Sequence, residues 1–346
     1  MRILMLSRDA SGLDPTSRTS GRWRALRDRG VDVMVCVWSS EKSGWSEPGL
    51  DVRGSGGSHP LLRLWRLWRM ATRIVSSADV VTAQDPFELG VIAYVITRRT
   101  SVPWEVQDHG GFFDGEPADE PLWPLRSRVA WFLVRRADRV RTVSPKSVAF
   151  LATQGLSARV YWLPIAADMR FAEVIRVPEP RLMVSVGRLV TVKRHDLLLR
   201  AFALLQKQEP QARLAILGDG REREALKTLA QELDLAEAVT FAYHDDPAPW
   251  LARAELFVLL SSHEGWGVAA VEAAMAGVPV LMTDTGCAAW LAERSCATVL
   301  PVSVTPEQVA QAIQREWQRP TSEGRWCTTT TPEDMATAQV EAWQQR

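Results

Sequence analysis

The chain has 346 residues, 46% of them apolar and 24% charged, with 41 Lys+Arg against 41 Asp+Glu. Such a composition excludes collagen-like, coiled-coil, low-complexity and disordered chains, and the length suffices for two hydrophobic cores. The zero total hides a polarity: residues 1–170 hold 24 basic and 18 acidic side chains, net +6, and the remainder 17 and 23, net −6, which suits one half to an anionic surface or substrate.

The first predicted strand is Arg2–Ser7, followed by a Gly/Ser/Thr-rich loop from Asp9 to Gly21, a helix ending near Gly30 and a strand over Val31–Val37. The pattern recurs with strands at Val80–Ala83, Val102–Gln107 and Val140–Val143, a helix from Pro86, and another capped by Ser144-Pro145. Val-Pro-Glu-Pro interrupts it near residue 180. A second series then runs through strands at Leu182–Val186, Arg213–Leu217, Val239–Ala242, Leu256–Leu260 and Val278–Met282, and a last helix covers Pro332–Gln344 after the polar stretch Thr321–Thr331. Alternating strands and helices predict an α/β fold of two doubly wound, Rossmann-like domains, residues 1–170 and 171–330, with residues 331–346 returning as a helix to the first. Ligands of such sheets bind at the carboxyl ends of the strands, so the search for a site goes to those loops and to a cleft between the two domains.

No run reaches the ~18 uncharged apolar residues of a membrane span, and the charged, strand-like start is unlike a signal peptide, so a cytoplasmic location is expected. Cys36, Cys287, Cys296 and Cys327 form no CxxC pair and are expected as reduced thiols, without a disulfide framework or structural zinc.

The most informative segment runs from Ser262 to Val280 and reads as loop, helix, Gly stop and strand. Glu264 follows an apolar strand, while Gly265 and Gly267 allow the backbone of that loop, Trp266 included, to approach a ligand at the helix start. Two readings of Glu264 stand open: a ligand-facing carboxylate, or a solvated one favoured by the helix dipole. Glu272 lies two turns into the helix among apolar neighbours, so it must be paired, hydrogen-bonded or facing a cleft. In a second segment, Arg188 and Lys193 follow Gly187 at the tip of the Leu182–Val186 strand, where two cations suit a diphosphate.

These segments, with Leu217-Gly218-Asp219-Gly220 between them, resemble the retaining glycosyltransferases of family 4, which have the GT-B fold of two facing Rossmann-like domains. The resemblance covers most of the chain and is strongest from Gly187 to Gly286. It implies a nucleotide diphosphate sugar as co-substrate and no cofactor. Glu264 would then contact hydroxyls of the donor sugar, Glu272 would hold the ribose, and Arg188 and Lys193 would bind the diphosphate and stabilise the leaving group, aided by the amides of Trp266 and Gly267. In the first domain Trp104–Gly111 resembles the family strand ending in His-Gly, so His109 would lie near the transferred sugar. The first loop departs from the paired glycines of many members, leaving Gly21 as the candidate for close approach to the donor. Thr283–Trp290 lacks the family's second glycine and glutamate, which bears on donor choice. With no Asp-x-Asp in the sequence, a metal site is not expected, and Arg188 and Lys193 take its place. The implied activity is metal-independent, retaining transfer of a sugar to a hydroxyl of a glycan or lipid-linked acceptor. Its alternatives are a sugar-nucleotide epimerase or hydrolase of the same fold, and a silent nucleotide-sugar-binding scaffold.

Residues 61–73 carry Arg63, Arg66, Arg69 and Arg73 along one helical stripe with Leu64, Trp65, Leu67 and Trp68 around the rest, the pattern of a helix lying on an anionic membrane. A second cationic and aromatic region runs from Trp123 to Arg139 and reads rather as a surface helix packed on its sheet. Peripheral contact with the inner face of the membrane is therefore an expectation, and nucleic-acid binding is not, because no recognised motif accompanies the charge.

Overall fold

The computed structural model describes residues 1–110, 112–113, 122–243, 245–319 and 331–344. The chain divides into two compact units, Met1–Ala166 with Thr330–Arg346, and Ala167–Thr329. The expected division at residue 170 thus compares with one after Ala166. Gly111, Cys327 and the polar stretch up to residue 330 lie outside the described residues; Cys36 and Cys287 are buried free thiols, and Cys296 is buried as well.

The strands of the first unit are β1 Arg2–Ser7, β2 Asp32–Val37, β3 Gly44–Glu47, β4 Leu50–Gly54, β5 Val80–Ala83, β6 Trp104–Asp108, β7 Arg139–Thr142 and β8 Val160–Trp162. Its helices are α1 Arg18–Asp28, α2 Pro60–Ile74, α3 Glu88–Thr97, α4 Trp123–Val134 and α5 Pro145–Thr153. They build one sheet of order β3-β4-β2-β1-β5-β6-β7-β8, parallel except for the β3–β4 hairpin. Alternate residues of β1 serve opposite faces: Ile3 and Met5 pack with Trp23 and Leu26 of α1, whereas Leu4 and Leu6 pack with Leu67 of α2 and Leu89 of α3.

The second unit holds β9 Leu182–Val186, β10 Arg213–Leu217, β11 Val239–Ala242, β12 Leu256–Leu259, β13 Val280–Thr283 and β14 Ala297–Leu300. Its helices are α6 His195–Gln206, α7 Arg223–Glu232, α8 Pro247–Arg253, α9 Val268–Met275, α10 Ala288–Glu293 and α11 Pro306–Gln318. The all-parallel order β11-β10-β9-β12-β13-β14 is that of a dinucleotide-binding sheet. Its topological switch point lies between β9 and β12, where chain direction across the sheet reverses. Finally, α12, Pro332–Gln344, packs on α1 and contributes Ala336, Val340 and Trp343 to the core of the first unit.

Three differences from the sequence expectation have local causes. The hairpin β3–β4 turns at Pro48-Gly49, with Gly49 at φ +78°, a turn signal visible in the sequence but flanked by strands too short to show periodicity. The helix expected from Pro86 begins at Glu88 because the Asp85 carboxylate accepts from the amides of Phe87 (2.8 Å) and Leu89 (3.2 Å). Val278 belongs to the turn that closes α9 instead of opening a strand: Gly277 sits at φ +74° and the Val278 amide donates back to the Ala273 carbonyl at 2.9 Å.

Candidate functional site

Loops after β9 and β12 meet at the switch point of the second unit. The Ser262 amide donates to the Val192 carbonyl (2.8 Å), tying the two loops together. Lys193 thereby reaches Glu264, and its ammonium donates to Oε1 of that carboxylate. Ser261 donates to the same oxygen at 2.6 Å. Glu264 is only 9% exposed, yet Oε2 makes no hydrogen bond among the described residues. A carboxylate so anchored through one oxygen keeps the other for a hydroxyl donor. Arg188, on the same loop, is exposed and makes no ion pair among the described residues.

Glycines hold these loops together. A Cβ on Gly218 would lie 2.0 Å from the Gly187 carbonyl oxygen, and one on Gly220 would lie 2.2 Å from that of Leu189. The Gly218-Asp219-Gly220 turn is thus the floor beneath the Arg188 loop, and the Leu189 amide donates to the Asp219 carbonyl across it at 2.9 Å. The Lys193 stem crosses Gly187 at ordinary contact distance, 3.6 Å from where a Cβ would stand. On the other flank a Cβ at Gly286 would come within 2.5 Å of the Trp266 carbonyl oxygen and 2.9 Å of the Glu264 side chain.

Helix α9 begins directly after this loop, with Gly267 at φ +86° as an N-cap that offers no side-chain acceptor to the first-turn amides. The Trp266 indole is buried against Trp290 (ring centroids 5.6 Å apart), and its carbonyl accepts from the Cys287 amide at 2.8 Å. Gly265 is half-buried in the same loop, and Glu272 is buried in the second turn of α9. His195, first residue of α6, is buried with neither ring nitrogen hydrogen-bonded among the described residues; burial first, and Lys193 second, pull its pKa down to about 4.

In the first unit, His109 follows β6, and its Nε2 lies 2.6 Å from Oε1 of Gln107. Its pKa falls to about 3, through desolvation above all, then through the positive charges of Arg141 and Arg22, so the ring is neutral. Beneath it lies a polar group of Thr82, Glu105, Gln107, Arg141 and Gln339, all buried, joined by the half-buried Tyr161.

Residues 15–166 match the family described as Glycosyl transferase 4-like domain, and residues 169–325 that described as Glycosyl transferases group 1. The chain belongs to this glycosyltransferase family. Mannosylfructose-phosphate synthase of Agrobacterium fabrum is 35% identical over 119 residues, 31% of this chain and 26% of that protein. Lipopolysaccharide core biosynthesis glycosyltransferase LpsE of Rhizobium meliloti is 38% identical over 110 residues, 32% of this chain and 31% of that one. The matched segment therefore spans about a quarter to a third of the length of these relatives. Over whole chains the likeness is one of fold: sucrose-phosphate synthase from Thermosynechococcus elongatus superposes with a TM-score of 0.77 at 18% identity, covering 99% of this chain and 97% of that one. HepE of Anabaena, solved in complex with UDP-glucose, gives 0.70 at 19% identity, covering 99% and 95%. These are GT-B glycosyltransferase folds, as the resemblance implied.

Against that family background, the structure brings Gly187, Arg188, Lys193, Glu264, Gly265, Trp266 and Gly267 to one set of strand tips, with Glu272 in the helix behind them. His109 stands in the other unit. Gly21 is placed otherwise than the loop pattern suggests. It lies inside α1 and not in the preceding loop, its amide donates to the Ser17 carbonyl at 3.0 Å, and open space surrounds the position of its missing Cβ. The Ser17 hydroxyl caps α1 four residues earlier than the glycine suggested, so Gly21 belongs to the first turns of that helix. Ser261, Gly286 and Gln107 were missed: a serine or glutamine inside a strand pattern carries no signal until the pairing of strands shows what it touches.

The basic helix also differs from its sequence pattern. Leu67 and Ala71 are fully buried, Leu64, Trp68, Met70 and Ile74 pack on the core, and only Leu61 and Trp65 stay exposed among its large apolar residues. Arg63 is held by the carbonyls of Gly57 (2.7 Å) and Ser58 (3.1 Å), and Arg69 stacks on Trp65. In the second region Leu122, Leu125 and Phe132 are exposed, with Arg136 stacked on Phe132.

Proposed function

We propose that this chain transfers a sugar, with retention and without a metal, from a nucleoside diphosphate sugar to a hydroxyl of a glycan or lipid-linked acceptor. The observation that carries the reading is Glu264, anchored through Oε1 by Lys193 and Ser261 at the switch point and open at Oε2. A hydroxyl of the donor sugar donates to that oxygen. Arg188, whose charge is unspent within the described chain, receives the diphosphate together with Lys193 and the amides opening α9. These positive groups favour the charge that develops as the bond from the anomeric carbon to the phosphate oxygen breaks. The acceptor oxygen bonds to that carbon on the same face, and its proton passes to the departing phosphate. Glu272 holds the ribose, and neutral His109 accepts a hydrogen bond from a hydroxyl of the transferred sugar. Family kinship supports retention; the cations of Arg188 and Lys193 support metal independence. The acceptor class rests on kinship with enzymes named for lipopolysaccharide and sugar-phosphate chemistry.

The test is incubation with UDP-, GDP- and ADP-sugars, with thermal shift as the binding readout. An acceptor-dependent glycoside is expected. A new sugar nucleotide without acceptor would indicate epimerisation, and stabilisation without turnover a silent binder; either overturns the reading. Work on the cytoplasmic face of an anionic membrane accords with the outward Leu61, Trp65, Arg69 and Arg73 of α2. Flotation on phosphatidylglycerol vesicles should weaken when Arg66, Arg69 and Arg73 become Glu; unchanged flotation removes the membrane from the proposal.

A further inference from the structure

We infer that Gln107 is a positioning residue that fixes the proton of His109 on Nε2 and leaves Nδ1 as a hydrogen-bond acceptor, and that α12 steadies this clamp from below. The inference rests on the reading of His109 as a group beside the transferred sugar, and deepens it.

The argument begins with the amide of Gln107, whose orientation is set by chemistry on both sides. Its nitrogen donates to Thr82 Oγ1 at 2.7 Å and to the Glu105 carboxylate at 2.8 Å. Its oxygen accepts from Nη1 of Arg141 at 3.3 Å. A guanidinium only donates and a carboxylate only accepts, so turning the amide over would set donor against donor and acceptor against acceptor. Oε1 is therefore an acceptor, and the imidazole nitrogen 2.6 Å from it must carry the proton. The neutral ring has one N–H, so Nδ1 bears a lone pair, and it has no partner among the described residues. A hydroxyl of a bound sugar can donate to it.

The clamp is itself held. Glu105, fully buried, accepts from Thr82 (2.8 Å), Tyr161 (2.5 Å) and the indole of Trp343 (3.0 Å), as well as from Gln107. Arg141 also donates to Gln339 Oε1 at 3.0 Å. Gln339 and Trp343 lie one turn apart on α12; Gln339 also donates to Glu105 at 3.4 Å and Met335 Sδ accepts from Arg141 at 3.6 Å, so the final helix supplies two contacts to each of the two charged groups that orient Gln107. Arg141 Nε has no partner among the described residues, but its Nη1 and Nη2 and the Glu105 carboxylate are all engaged, and such support favours one arrangement because turning the Gln107 amide over would bury further polar atoms without a partner.

The full chain, labelled with 15N-histidine, tests this by long-range 1H–15N correlation of the imidazole rings, with and without UDP. The parental protein should show His109 neutral and protonated on Nε2, with a slowly exchanging Nε2–H resonance at about pH 7. In Gln107→Leu that resonance should be lost to exchange and kcat should fall about 10- to 100-fold, with donor KM within about threefold. Gln339→Leu should move both readouts in the same direction by less. A parental His109 protonated on Nδ1, or a Gln107→Leu protein that keeps both resonance and kcat, overturns the clamp. Should Gln107→Leu not fold, the parental spectrum decides alone. If the clamp is present and no sugar is transferred, the functional reading fails and the clamp stands; the reverse holds if sugar is transferred with the proton on Nδ1.

Discussion

The two units wind their parallel sheets alike and furnish the strand tips differently. In the second unit, opposite charges meet at the switch point: Lys193 and Glu264 share a nearly dry contact, and the backbone around them is set by glycines pressed against carbonyls. In the first unit, the tip beyond β6 carries a neutral imidazole, and the charge sits a layer deeper, in Glu105 and Arg141, dispersed over neutral partners. The contrast shows two ways of holding a polar group in position. One uses tight loops and an ion pair with an open oxygen; the other uses a buried network in which neutral amides set the direction of each hydrogen bond.

The largest expected effect comes from breaking the ion pair. Glu264→Ala should lower transfer about 1000-fold and destabilise the fold by on the order of 2–3 kcal/mol, since Lys193 is left poorly solvated without its partner. Double-mutant cycles of Lys193→Met with Glu264→Gln, read by urea denaturation, should show coupling; strict additivity would mean that the pair does not act as a unit. Next, the glycines sharpen the comparison through opposite signs. Gly220→Ala should cost about 3 kcal/mol or more because a Cβ meets the backbone of Leu189, whereas Gly21→Ala, in open space within α1, should gain about 0.5–1 kcal/mol. Equal melting temperatures for the two variants would contradict the packing described.

Arg188→Ala should reduce transfer about 10- to 100-fold and leave the melting temperature within a degree or so, because the side chain is exposed and unpaired among the described residues. A comparable loss of stability would show that it is structural. The last expected effect concerns pH. His109 and His195 have pKa values lowered to about 3 and about 4 in the folded chain, so below the ordinary value near 6.5 the unfolded chain binds the proton first. Stability is thus lost as pH falls from about 6.5 toward 4, with a slope of up to about 1.4 kcal/mol per pH unit for each ring. His195→Leu should flatten that slope, and since neither nitrogen is hydrogen-bonded among the described residues the variant should be no less stable at neutral pH. A slope unchanged in this variant would assign the acid sensitivity elsewhere.

The sequence by itself determined the alternation of strands and helices, several strands to the residue, the bounds of α12, and the two segments around Arg188 and Glu264. These are local: periodicity, caps and glycine spacing act over a few residues, and each can be read without knowing its neighbours in space. Only the tertiary structure decided which atoms meet. The switch-point order brings Lys193 and Ser261 onto one oxygen of Glu264; the pairing of β5, β6 and β7 stacks Thr82, Gln107 and Arg141; and the return of α12 sets Gln339 beside that arginine. The separations of 71 residues for Lys193–Glu264 and 198 for Arg141–Gln339 leave no trace in local pattern, because a hydrogen bond across strands depends on register and side-chain reach, quantities that exist only once the sheet is assembled.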